Sequence, residues 1–188
     1  MRIIAGELKG RRIDTPDWDG LRPTSDKLRE TLFNVLGPGI RGARVLDGFA
    51  GTGAVGIEAL SRGAAEVTFV DSDPRAVALI SANLARFGIE DRHAIIRARL
   101  ADALNRLNGE TFDILFLDPP YGPEALEQAL KAANRLAAAR TLVVIEHASR
   151  DAAPQEAGAL VRVRELKSGD SALAFYRRGS FPSAPSNR

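Results

Sequence analysis

The sequence predicts a doubly wound α/β fold, with a mostly parallel sheet, an antiparallel C-terminal hairpin and a small N-terminal hairpin-and-helix extension. Three observations carry that expectation. From residue 44 short apolar runs alternate with helical patterns, the rhythm of strand–helix–strand units. Most of those runs are continuously apolar, as strands covered on both faces are. The last two runs are instead joined by Lys, Ser, Gly and Asp, which is hairpin chemistry.

Each element has its own signal. Residues 2–14 read as a β-hairpin around Lys9-Gly10, and Thr24 to Leu36 as an amphipathic helix. The core strand candidates are RVLDGF (44–49), EVTFVD (66–71), AIIRA (94–98), FDILFLD (112–118) and TLVVIEH (141–147). A helix from Ile57 to Arg62 follows the first strand. Another runs from Pro74 to Phe87, with Asp73 as N-cap, Pro74 at the first helical position and Gly88 as stop. Its Val77, Ile80, Leu84 and Phe87 form one stripe, and a further helix from Glu124 to Ala138 carries Leu126 and Leu130 on one face. LVRVREL (160–166) and ALAFYRR (172–178) form the hairpin, with Tyr176-Arg177-Arg178 expected on an edge strand with exposed charges. The expected organisation is one domain over 1–178: an extension at 1–40, a core at 41–178, and a disordered tail at 179–188 rich in Gly, Ser, Pro and Asn.

Composition narrows the function classes. A chain of 188 residues, 45% hydrophobic and 27% charged, suits one folded domain with a full core. No apolar run approaches the ~20 residues that span a bilayer, and the N-terminus lacks a signal-type apolar core, so a cytoplasmic protein with no membrane partner is expected. With no cysteine, thiolate catalysis and cysteine-bound zinc are excluded. His93 and His147 alone make a multi-histidine metal site unexpected, and both read as structural or surface residues. The basic residues are 22 Arg and 4 Lys, and Lys9, Arg11, Arg12, Arg22 and Arg29 gather near the N-terminus. That pattern fits a polyanion-binding surface, although a genome rich in Arg codons would also produce many arginines.

The first chemical motif is Asp47-Gly48-Phe49-Ala50-Gly51-Thr52-Gly53, with Gly56 three residues on. Glycines let the backbone turn sharply and approach a ligand, and Gly56 lets helix and strand pack closely. The spacing is also that of dinucleotide-binding loops, which seat a pyrophosphate at a helix N-terminus. Here an acid stands at the strand end, and a carboxylate there repels a pyrophosphate and suits a cation. S-adenosyl-L-methionine carries a sulfonium and an ammonium and no phosphate, so the loop points to that donor. Asp71 ends the second strand, placed to accept from ribose hydroxyls, with Ser72 beside it.

The second motif, Asp118-Pro119-Pro120-Tyr121, lies at the end of the fourth core strand, where such sheets bind ligands. Two prolines stiffen the backbone and remove donors, leaving the preceding carbonyls free to accept. An exocyclic amine on a base is a poor nucleophile because its lone pair is delocalised into the ring. Acceptors at the Asp118 carboxylate and Pro119 carbonyl draw on its N–H groups and favour a tetrahedral nitrogen. Tyr121 can stack on the base. The bland alternative is a strand that ends at Pro-Pro with Tyr121 as cover.

These motifs resemble amino-methyltransferases acting on nucleobase nitrogens. RIIAGELKGRRI, LRPTSDKLRETLFNVL (21–36), LDGFAGTGAVGIEALSRGA (46–64) and SGDSAL (168–173) are similar, more specifically, to the RsmD family over residues 2–178. That resemblance implies a Rossmann-like S-adenosylmethionine-dependent methyltransferase fold and methylation of a guanine N2 amine in small-subunit (16S) ribosomal RNA, met as naked RNA or in an assembled subunit, by a monomer. It implies a donor site at Asp47 to Gly53 with Asp71 on the ribose, and catalysis at Asp118 to Tyr121. After the third strand the family pattern has an acceptor for the donor's adenine amine, whereas this chain reads Arg97-Ala-Arg-Leu100-Ala-Asp102. Arginine cannot accept, so adenine recognition is expected from backbone groups near Leu100, or from Asp102. Arg22 and Thr24 precede a helix start and suit the methionine carboxylate, an RNA phosphate or a simple cap. Trp18 has no assigned role. Rival readings are a DNA adenine or cytosine amino-methyltransferase, which would need a sequence-reading domain, a protein-glutamine methyltransferase, usually with Asn before Pro-Pro, and a non-catalytic RNA-binding assembly factor.

Overall fold

Gly48 and Gly56 set how closely the first strand and first core helix of this computed structural model approach the rest; residues 1–16 and 25–179 are described. A Cβ on Gly48 would stand 2.4 Å from the Leu117 side chain, and one on Gly56 2.2 Å from the Phe69 ring. Around that junction runs an eight-stranded sheet in the order β3-β2-β1-β4-β5-β8-β7-β6. Its strands are β1 (Arg44–Gly48), β2 (Glu66–Asp71), β3 (His93–Arg97), β4 (Ile114–Leu117), β5 (Leu142–Ala148), β6 (Glu156–Ala157), β7 (Leu160–Ser168) and β8 (Ser171–Arg178). The first five are parallel, and β8 runs antiparallel to β5 and to β7. The order turns back between β1 and β4, so the carboxyl ends of those two strands form the crevice where such sheets bind ligands.

Helices cover both faces. On one lie α1 (Asp26–Leu36), α2 (Ala54–Ser61) and α3 (Pro74–Arg86), packed through Leu32, Ile57, Ile80 and Leu84. The other carries α4 (Leu100–Ala103) and α5 (Pro123–Leu136), packed through Leu100, Leu126 and Leu130. The Asp73 cap accepts from the Arg75 amide at 2.8 Å, and Gly88 takes φ +70° just beyond α3, as the cap and stop signals predict. Among the described residues no helix is long and apolar enough to cross a membrane.

Every residue of α2 is buried, because the chain's first fourteen residues lie across it. Glu58, 0% exposed, is the fastening: its carboxylate accepts from the amides of Ile4 (2.8 Å) and Ala5 (3.0 Å) and from Arg62 Nε (2.7 Å). Ser61 adds two bonds, taking the Leu8 amide at 3.0 Å and donating to the Ala5 carbonyl at 2.6 Å. Gly6 fits only as glycine, since a Cβ would fall 1.8 Å from the Ser61 carbonyl oxygen.

Several expectations change in detail. The N-terminal segment does fold back on itself, with backbone bonds from Ile3 to Arg11 (3.0 Å), Gly10 to Ile3 (2.8 Å) and Ile13 to Met1 (3.0 Å) around an Arg2–Arg12 bridge. The pairing stays this short because the amides of Ile4, Ala5 and Leu8 go to Glu58 and Ser61. The helix expected from Thr24 begins at Asp26, with Ser25 as the N-cap accepting from the Leu28 amide. The helix expected at Ile57 begins at Ala54, since Gly53 at φ +73° already turns the chain into it. Strand β8 is interior, not an edge: β5 and β7 flank it, and Tyr176 is 0% exposed with its hydroxyl donating to the Pro154 carbonyl at 2.9 Å. The hairpin turn tightens to Gly169-Asp170, with Ser168 opposite Ser171. The residues of the expected tail from 180 on lie outside the described residues, as does Trp18.

Removing the Glu58 carboxylate leaves the Ile4 and Ala5 amides without their acceptor, Arg62 without its 2.7 Å partner and the buried Arg29 with Asp26 alone. Glu58→Ala should cost about 3–5 kcal/mol. Guanidinium titration checks it: a large fall in the midpoint is expected, and an unchanged midpoint would show that the N-terminal segment contributes little to stability.

Candidate active site

Two aspartates at the ends of neighbouring strands hold the glycine loop. Asp47, 1% exposed, accepts from the Gly56 amide at 2.8 Å, pinning the first turn of α2 to β1. Asp71 accepts from the Gly51 amide at 2.8 Å with one oxygen and from the Asp73 amide at 2.9 Å with the other. Between them the backbone takes left-handed conformations at Phe49 (φ 62°), Gly51 (φ 54°) and Gly53 (φ 73°). Phe49 is the costly one, since a bulky side chain in that region is strained and persists only where surrounding contacts over-determine it.

The loop opens on a cavity of about 500 Å³ at the carboxyl ends of the central strands. Asp47, Phe49 to Thr52, Asp71 and Ser72 form one side. The other is Asp118-Pro119-Pro120-Tyr121 with Phe116 and Glu146. Both expected motifs therefore share a single cavity. Gly48, Gly53 and Leu100 do not line it: the glycines shape the loop from behind, and Leu100 is a core residue, 4% exposed. Asp102 is exposed and held by Arg99 at 2.7 Å, so it is spent on a surface ion pair rather than facing the cavity.

Sequence reasoning named Tyr121 at this site but missed its partner Ser171 and the acidic Glu146. Tyr121 is 37% exposed, and its hydroxyl shares a 2.8 Å hydrogen bond with Ser171, which opens β8. Glu146, on β5, is 4% exposed and lines the cavity. Its signal was present: a charge near the end of an otherwise apolar strand is the same pattern that drew attention to Asp118.

The electrostatics are one-sided. Asp47, Asp71, Asp73, Asp118 and Glu146 line the cavity, and no lysine, arginine or histidine does so among the described residues. Burial pushes the Asp47 carboxyl up to about 8, opposed by the Gly56 amide and reinforced by the charge of Asp71. Such a site repels phosphates and suits a cationic ligand, which would stabilise the ionised carboxyl. A phosphate-bearing dinucleotide does not fit it.

The expected RNA-contacting residues divide. Lys9, Arg11 and Arg12 are exposed on the N-terminal segment. Arg11 is partly engaged, donating to the carbonyls of Arg86 and Phe87 at the end of α3 and lying 4.7 Å above the Phe87 ring. Arg29 does not face solvent at all. It is 0% exposed, paired with Asp26 at 3.0 Å and 3.8 Å from Glu58, and it joins α1 to the interior. Arg22 and Thr24 lie outside the described residues. His147 is buried, with Nε2 3.3 Å from Glu165, and His93 is half-buried on β3.

Residues 1–177 match the family model described as conserved hypothetical protein 95. The ribosomal RNA small subunit methyltransferase D of Escherichia coli is 35% identical over 180 residues, covering 95% of this chain and 90% of the relative. The chain belongs to the RsmD family. A solved Escherichia coli structure described as the methyltransferase yhhF is 34% identical, covers 96% of this chain and 99% of its own, and superposes with a TM-score of 0.81. The fold is therefore that of the methyltransferases. A more distant structure, SMU.776, shares the fold at 16% identity and a TM-score of 0.66 over 80% of this chain and 48% of its own, and is described as complexed with SAH.

The raised Asp47 carboxyl has a consequence for the free protein. Folding favours its protonated form, so the stability it contributes is full below its unfolded value near 4 and is lost as pH rises towards about 8. Asp47→Asn keeps an acceptor for the Gly56 amide and has no proton to lose. Relative to wild type, this variant should become progressively more stable between pH 5 and pH 8.5 in thermal melts. A constant difference across that range would mean that Asp47 is ionised throughout.

Proposed function

We propose that the protein transfers a methyl group from S-adenosyl-L-methionine to the N2 amine of a guanine in small-subunit ribosomal RNA. The observation that carries the reading is the single cavity that joins a phosphate-repelling, acid-lined donor loop to Asp118-Pro119-Pro120-Tyr121. Asp47, Asp71, Ser72 and the backbone of residues 49–52 would hold the donor, which when bound supplies a methyl group on a positively charged sulfur. Asp71 retains lone pairs for ribose hydroxyls beside the two amides it already accepts.

On the substrate side, the Asp118 carboxylate and the Pro119 carbonyl accept from the amine N–H groups, so the nitrogen lone pair turns out of the ring towards the methyl group. Orientation and this preorganised polarity supply the acceleration. The methylated nitrogen is acidic enough to lose its proton without a strong base. The Tyr121 ring, steadied by Ser171, offers a stacking face worth about 1–3 kcal/mol to a base extruded from its stack. Exposed Lys9 and Arg12, with part of Arg11, supply phosphate contacts. They lie on a segment that reaches the donor loop, since the Asp14 amide donates to Asn83 Oδ1 at 2.9 Å and Asn83 Nδ2 lies 3.5 Å from the Thr52 carbonyl.

Labelled donor incubated with separated small-subunit RNA, large-subunit RNA and DNA, followed by digestion to nucleosides, tests the reading. N2-methylguanosine from small-subunit RNA is expected; label appearing only in DNA would overturn it. In the same assay under single turnover, Asp118→Ala should lower transfer at least about 100-fold, because one well-placed polar group contributes ~2.7–4 kcal/mol to the transition state. Asp118→Asn keeps an acceptor and should retain partial activity. Equal rates for the Ala variant and wild type would remove Asp118 from the chemistry. Neutralising Lys9 and Arg12 together should reduce the slope of log affinity for RNA against log salt by about 2, with donor affinity unchanged. An unaltered slope would place the RNA elsewhere.

A further inference from the structure

Glu146 stands where a second acceptor for the base would have to be. In the parallel register Leu117 on β4 faces Ile145 on β5, so Asp118 and Glu146 are the next residues of adjacent strands. Neighbours in a parallel register point to the same face of the sheet. The register also pairs Asp47 with Phe116 and Phe116 with Val144, which puts Asp47, Asp118 and Glu146 on the face that carries α2. Glu146 lines the same cavity as Asp118 and Tyr121 and is 4% exposed. Its chain neighbours in β5 are Ile145 and His147, both buried, so the carboxylate sits in an enclosed wall of the cavity.

From this placement we infer that Glu146 selects guanine by accepting from its ring N1–H while Asp118 and the Pro119 carbonyl accept from the adjacent N2 amine. The inference rests on the proposed methyl transfer to a guanine amine and adds the group that chooses the base. Guanine presents three donors along one edge, N1–H and the two hydrogens of N2, and this corner of the cavity presents three acceptors. Adenine and cytosine place a lone pair on the ring nitrogen beside their amine. Against Glu146 that lone pair would face a carboxylate with no hydrogen between them, so both bases are rejected by repulsion as well as by a lost bond. A site built to bond a particular donor discriminates far more strongly than one that relies on shape.

The test exchanges donor for acceptor at one atom of the substrate. Small-subunit RNA is prepared with the methylated guanine, located by digestion, replaced by 2,6-diaminopurine, which keeps the 2-amine but carries a lone pair at N1. Wild type should methylate the guanine RNA at least about 100-fold faster than the diaminopurine RNA, the scale of discrimination expected when a buried polar group is left unpaired. Glu146→Gln supplies an amide N–H in place of one oxygen, so it should lose at least about tenfold on guanine and gain on diaminopurine, narrowing or reversing the preference. Donor binding by calorimetry should be the same for both proteins. Wild type that methylates both RNAs within threefold overturns the inference whatever the variant does. So does a Glu146→Gln protein that binds donor normally yet keeps the full guanine preference or loses both substrates equally. Failure of wild type to produce N2-methylguanosine at all would instead count against the proposed function.

Discussion

The hydrogen bond from the Gly56 amide to the Asp47 carboxyl joins the end of β1 to the first turn of α2, and the glycine loop between them has the shape it has because both ends of that bond are fixed. Gly56 brings the helix so near the sheet that the Phe69 ring occupies the place of a side chain. The loop between has too little length to relax, and it accepts left-handed backbone at Phe49 as the consequence. Asp71 then secures the outer turn through the Gly51 amide. A carboxyl that reads as a ligand contact in the sequence is thus first a structural bond, and it faces the cavity with its remaining lone pairs.

One short helix mediates between this site and the rest of the molecule. The eight residues of α2 touch the sheet through Gly56 and the N-terminal segment through Glu58 and Ser61. Arg29 completes the buried polar group by pairing with Asp26 and approaching Glu58, so α1 is registered on the same helix. Buried polar groups of this kind cost desolvation and return it only when every partner is present. The segment that bears Lys9 and Arg12 is consequently held in a fixed position relative to the glycine loop.

Much of this was legible in the sequence, for stateable reasons. The parallel strands appeared because both faces are covered, and apolar runs report that directly; α3 appeared because its Asp-Pro start and Gly stop are local signals. Asp47, Asp71 and Asp118 stood out as acids ending apolar strands beside turn residues. What failed was long-range. Charge counting assigned Arg29 to a surface, and only Asp26 and Glu58, three and 29 positions away, show that it is interior. The N-terminal hairpin around Lys9-Gly10 does form, but only as a short pairing about Arg2 and Arg12, and local sequence could not show that the amides of Ile4, Ala5 and Leu8 go to side chains of α2 instead. Tyr176 was misplaced because two flanking arginines suggested an edge, and strand order is not encoded in local composition.

The interior position of β8 bears on how the chain is made. It lies between β5 and β7, yet it follows both of them in the sequence. During synthesis β5 therefore presents a bare, apolar ladder of Val143, Val144 and Ile145 until residues 171–178 leave the ribosome and slot against it. The same event brings Ser171 to the Tyr121 hydroxyl, so this corner of the cavity is completed only when β8 has docked. A nascent chain stalled before that strand would hold the glycine loop complete and the Tyr121 hydroxyl without Ser171, with an open sheet edge inviting association. For the growing chain, covering the β5 edge and fixing the Tyr121 hydroxyl are therefore one event.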